Sequence, residues 1–128
     1  MTFYFSKTID VSFEEAIQKV TEALKAEGFG ILTEIDVQAT FKKKLDVDFR
    51  KYKILGACNP PFAYKALQAD DKIGLLLPCN FIVQETTDGF TEISAIDPLE
   101  SMKAVKNDKL AAIATEVQLK LKKVIASL

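Results

Sequence analysis

Histidine is absent from all 128 residues, and so is tryptophan. Without histidine the chain lacks the usual general base and the commonest metal ligand. Ser-His and Cys-His catalysis are therefore excluded within one chain. A closed zinc site would need both cysteines, Cys58 and Cys79, plus two carboxylates, an uncommon ligand set. The sequence calls for no metal and no cofactor. Charge excess is missing too: 17 basic against 18 acidic residues leave a formal net charge of −1, whereas binders of nucleic acid or anionic membranes usually carry a basic surplus. Neither a nucleic-acid nor a membrane partner is expected. The apolar runs are only a few residues long, too short to span a bilayer. The N-terminal stretch MTFYFSKTIDVS lacks the basic n-region and long apolar h-region of a secretory leader. These absences fit a cytoplasmic protein, a compartment where two cysteines are more often free thiols than a bridge.

What is present is a large apolar fraction, 48%, with nine phenylalanines. That is enough for one core in a single domain over residues 1–128. Residues 3–9 alternate around Phe3 and Phe5 and predict a first strand. Ser12-Phe13-Glu14-Glu15 reads as a capping box. Behind it Ala16, Ile17, Val20, Ala23 and Leu24 recur at helical spacing up to Gly28, predicting a helix over 13–27. A short strand over 30–35 follows, then a helix capped by Asp36 with Val37, Phe41 and Leu45 on one face. A third strand is predicted over 50–58. Asn59-Pro60-Pro61 starts another helix, with Asn as N-cap and proline in the first turn, ending near Ala69. The run from Ile73 to Pro78 is too short to classify.

The next two strands, 80–86 and 90–96, form a hairpin whose register can be argued. A three-residue loop, Thr87-Asp88-Gly89, puts glycine at the left-handed position of a G1 bulge. Phe81, Val83, Ile93 and Ala95 then share one face, and Ile82, Gln84, Thr86, Glu92, Ser94 and Ile96 the other. A two-residue loop would set Glu85 opposite Glu92, which is unfavourable. Asp97-Pro98 starts a short helical turn. A last helix runs over about 108–127, with Leu110, Ile113, Ala114, Val117, Leu121, Val124 and Leu128 on one stripe. Ile125, beyond that stripe, leaves room for a subunit interface. The element order gives the α+β class: an antiparallel sheet packed by helices on one face.

In this register Cys79 lies opposite Asp97. If the third strand neighbours the fourth, Cys58, Asn59, Cys79, Asn80 and Asp97 gather at one rim of the sheet. Cys58 and Cys79 are the candidate catalytic residues, and Asn59, Asn80 and Asp97 the candidate ligand-binding ones. Cys58 precedes a helix N-terminus, where the dipole favours a thiolate. Pro60 and Pro61 remove two donors there, however, and Cys79 shares the core-facing side with Phe81 and Val83. The residues favour a structural role for both thiols, and a backbone-bracing role for both asparagines. The segment KKKLDVDFRKYK (42–53), with six cations and two acids, reads as a solvated helix face followed by a strand.

The stretch ILGACNPPFAYKALQADDKIGLLLPCNFIV (54–83), with Gly89 and Asp97-Pro98 beyond it, resembles the signature of the prokaryotic domain-of-unknown-function 302 family (DUF302). The resemblance covers the whole chain. It implies a TATA-binding-protein-like fold, β-α-β4-α with short inserted helices, and a homodimer. It implies no settled activity. Two function classes follow. The first is a homodimeric module binding a small ligand or a partner in a groove between sheet and helix. The second is a thiol-dependent redox or sulfur-handling protein using Cys58 and Cys79.

Overall fold

The computed structural model describes residues 2–128. Five strands form one antiparallel sheet: β1 (Tyr4–Ile9), β2 (Gly30–Asp36), β3 (Tyr52–Cys58), β4 (Cys79–Glu85) and β5 (Thr91–Ile96). Their spatial order is β1-β5-β4-β3-β2. The helices are α1 (Phe13–Ala26), α2 (Val37–Leu45), α3 (Pro60–Ala69), α4 (Pro98–Ser101) and α5 (Asp108–Ala126), with a 3-10 helix at Asp71–Leu76. The α+β class expected from the sequence is borne out. No helix among the described residues is long and apolar enough to cross a membrane.

The hairpin takes the predicted register. Phe81 pairs with Ala95, Val83 with Ile93 and Glu85 with Thr91, and Gly89 has a φ of 86°. Phe81, Val83, Ile93 and Ala95 are all buried. Helices α1 and α5 cover this face: Ala16, Val20 and Leu24 of α1 and Val117, Leu121 and Val124 of α5 join the same cluster. The helix starts follow local chemistry. Ser12 Oγ accepts from the Glu15 amide at 3.1 Å, and Asp36 Oδ1 from the Ala39 amide at 2.9 Å. Gly28, with a φ of 84°, ends α1 in the left-handed region where a Cβ would add strain.

Several expectations need correcting. Strand β1 begins at Tyr4 rather than Phe3, and β3 at Tyr52 rather than Arg50. Leu45 is exposed, because α2 buries none of its side chains and lies at the margin of the sheet. Only Phe41 of its apolar residues finds a ring partner, edge-on to Phe49 with centroids 5.1 Å apart. Ile125 is buried inside its own chain. It joins the main cluster where the end of α5 meets β1, and Lys7 Nζ donates to the Leu128 carbonyl at 2.6 Å there. The basic segment carries its own counter-ions: Lys42 faces Asp46 at 3.0 Å and Asp48 at 3.3 Å, and Lys51 faces Glu14 at 3.1 Å. These pairs are exposed and add little stability.

The strand that leads to the first cysteine is held by a close approach. Gly56, in the middle of β3, faces Asn80 on β4 and Thr33 on β2. A Cβ there would stand 2.7 Å from Pro78 Cγ and closer still to Thr33 Oγ1. Only hydrogen fits between them. Gly56→Ala is therefore expected to destabilise the protein by about 1–3 kcal/mol, with Thr33→Ala restoring part of the loss. Denaturant midpoints of the single and double variants check this. An unchanged midpoint in Gly56→Ala would show that the approach is not tight.

Candidate functional site

Strands β3 and β4 are antiparallel neighbours, the condition on which the candidate cluster rested, with Ala57 paired to Cys79 and Gly56 to Asn80. The five candidate residues thus sit at one rim of the sheet, but they do not share one face. Cys79 is buried and turned toward the helices with Phe81. Asn80, the next residue, points the other way by strand alternation. It is exposed and lines a groove on the open face with Tyr4, Tyr52, Ile82, Gln84 and Glu92. Asp97 caps α4, taking the Leu99 amide at 3.0 Å. Gln118 Nε2 also donates to its carboxylate oxygens at 3.1 and 3.2 Å. This buried carboxylate ties α4 to α5.

The helix-covered rim holds a cavity of about 300 Å³. Its walls come from the ends of β3 and β4 (Ala57, Cys58, Cys79), from α3 (Phe62, Ala63, Ala66), and from Ile113, Ala114 and Val117 on α5. Leu32, Asn59, Leu77, Pro78 and Met102 line it too. Leu32 reaches this space because β2 shifts register between Ile31 and Thr33, a bulge that re-aims its side chain. The space is a seam between two apolar clusters. Ala57 and Cys79 belong to the main core, whereas Ala66 belongs to a smaller one with Ile73 and Leu110. Small side chains at 57, 63, 66, 74 and 114 leave the gap that larger ones would fill. A groove between sheet and helix was expected from the sequence, but not its lining residues on α3 and α5. Its signal was the recurrence of alanine on the inward side of α3, opposite another alanine on α5.

Asn59 departs from its expected capping role in an informative way. It occupies the N-cap position of α3, yet its side chain makes no cap hydrogen bond. An N-cap oxygen takes the amide at N2 or N3; Pro61 at N2 has none to give, and the Phe62 amide at N3 is not taken. Instead Nδ2 donates to the Glu27 carbonyl at 3.3 Å and packs against Gly28. Asn59 thereby braces the turn after α1 while lining the cavity.

Both cysteines are free thiols. Burial pushes the Cys79 thiol up to about 11, with repulsion from a Cys58 thiolate as a second cause. Burial raises Cys58 as well. Neither is therefore the activated, low-pKa thiolate that nucleophilic or redox cysteines present. Among the described residues no group of three or more Cys, Asp or Glu side chains is arranged to hold a metal ion.

A family model described as "Domain of unknown function DUF302" matches residues 5–128. Among solved structures, the chain is similar to one titled "Crystal structure of uncharacterized conserved protein DUF302 from Bacillus stearothermophilus". That likeness has a TM-score of 0.91 at 28% identity and covers 98% of each chain. No curated protein matches the chain.

The burial of Cys79 has a measurable sign. An unfolded thiol loses its proton near 9.0, the folded one near 11. Between those values the unfolded chain has released a proton that the folded chain keeps. Stability is thus full below pH 9 and falls as pH rises toward 11, by about 1.4 kcal/mol per pH unit. Cys79→Ala is expected to flatten the alkaline limb of a stability–pH curve relative to wild type. In the native protein at neutral pH, Cys79 is expected to resist iodoacetamide until denaturant is added. Rapid native alkylation at neutral pH would contradict a thiol that burial keeps protonated.

Proposed function

The chain belongs to the DUF302 family, and from the geometry of its rim we propose that it is a binding module for a small apolar ligand held in the cavity between sheet and helices. One observation carries this reading: a space of about 300 Å³ with almost wholly apolar walls, lying against the end of the main core. That volume lies at the small end of ligand pockets. The element order, β-α-β4-α once α2, α3, the 3-10 helix and α4 are set aside, supports the TATA-binding-protein-like assignment.

A homodimer forms the second part of the proposal. With Ile125 occupied inside the chain, the support moves from α5 to the open face of the sheet. There Phe3, Tyr4, Tyr52, Ile82 and Ile96 line a groove of about 400 Å³, and Phe3 and Tyr4 are exposed. The alternative, a thiol-dependent redox or sulfur-handling protein, has in its favour that Cys58 and Cys79 both line the cavity. The raised thiols weigh against it.

Two experiments test the module. Ligand-observed NMR with a library of uncharged, mostly apolar fragments is expected to give hits that Ala63→Phe abolishes, because the added ring fills the cavity. Hits that survive that substitution in a folded variant would place binding elsewhere. For the dimer, sedimentation equilibrium is expected to give twice the chain mass of 14.2 kDa, returning to one chain mass in Ile82→Lys. A wild-type monomer throughout the micromolar range would end the dimer reading without touching the cavity.

A further inference from the structure

Within the cavity wall, Asn59 is the only side chain with a strong hydrogen-bonding group. Chemistry fixes the orientation of its amide. The partner at Glu27 is a backbone carbonyl, which can only accept, so the nitrogen must face it. The oxygen, Oδ1, then occupies the opposite prong. Pro61 has no amide to offer at N2, and no cap bond to the remaining Phe62 amide at N3 is made either. Among the described residues, no buried side-chain oxygen or nitrogen is both sealed from solvent and unpartnered. Asn59 Oδ1 thus keeps access to open space, although its residue is 9% exposed.

We propose that Asn59 Oδ1 sets the chemical class of the cavity ligand: a small, uncharged, mostly apolar molecule carrying one hydroxyl or N–H donor, such as an alcohol or phenol. This inference rests on the cavity reading above and adds a polarity to it. A charged ligand is disfavoured by walls that offer no counter-ion. A ligand whose only polar atom is a carbonyl oxygen meets another acceptor at Asn59 and is disfavoured. A pure hydrocarbon fits the walls but leaves Oδ1 dry and unpaired, a cost that a donor removes. The cysteine thiols, weak as donors and acceptors, do not alter this ordering.

The test compares probes matched in shape but not in donor content: p-cresol against p-xylene, and cyclohexanol against methylcyclohexane. Calorimetric titration of the full chain gives both affinities. In wild type each hydroxyl probe is expected to bind at least as tightly as its hydrocarbon partner, although water holds the hydroxyl more strongly. Asn59→Leu is expected to lower the hydroxyl-to-hydrocarbon affinity ratio by about tenfold, as loss of a buried hydrogen bond does. That variant also loses the Glu27 brace and can fail to fold, so the wild-type comparison decides by itself. Hydrocarbons binding more tightly than their hydroxyl partners in wild type would overturn the inference and leave the cavity reading standing. If none of the four probes binds up to its solubility limit, the cavity reading falls and this inference falls with it.

Discussion

The pairing register of the β4–β5 hairpin is the constraint on which the rest of this structure depends. Side chains alternate along a strand, so a slip of one residue would turn every inward side chain outward. With Phe81 opposite Ala95 and Val83 opposite Ile93, four apolar residues face α1 and α5. The same parity sends Cys79 inward and Asn80 outward. Thus the turn at Thr87-Asp88-Gly89 decides, from the far end of the hairpin, which of two adjacent residues can meet a cavity and which meets the open face. Strand β3 inherits that parity through its pairing with β4. The close fit of Gly56 under Thr33 and Pro78 holds β2 and the entry to β4 around the same strand.

Much of this was legible in the sequence because it rested on local chemistry. The Ser12 cap, the glycine after α1, the proline-started α3 and the stripe of α5 each follow from side chains within a few residues of one another. The hairpin register could be argued because one alternative loop would have opposed two glutamates. The site was less legible, and for a physical reason. A cavity is a shortage of atoms among residues from four or five elements. Ala63 looks like any helical alanine until α5 sets Ala114 nearby. Ile125 fell outside the main stripe of α5, yet the sheet edge near β1 buries it. Asn59 was placed at the right position, but the backbone it braces is not its own helix start: its side chain reaches a turn 32 residues earlier.

The two asparagines beside the cysteines illustrate how a repeated dipeptide can have unlike consequences. Asn59 follows a strand and sits where a helix begins, so it is drawn inward among apolar walls. Asn80 lies one step inside a strand and points to the opposite side of the sheet. Their likeness in sequence records a pair of corners in the chain path, not a pair of equivalent ligands. Asp97 belongs to the same rim but spends its oxygens on Leu99 and Gln118, holding the short α4 against α5.

The seam between the two apolar clusters has a dynamic consequence. Helix α3 and the 3-10 helix rest on a small cluster of three buried residues, Ala66, Ile73 and Leu110, while the sheet, α1 and most of α5 share the large one. Cooperative units in proteins separate where contacts are thinnest. Amide exchange should accordingly be faster in α3 than in α1 or β4, through a partial opening that leaves the sheet intact. Any molecule lodged in the seam would contact both units and slow that opening by mass action. Occupancy would then be recorded as a local gain in amide protection, confined to the weaker unit, even where the global melting temperature scarcely moves.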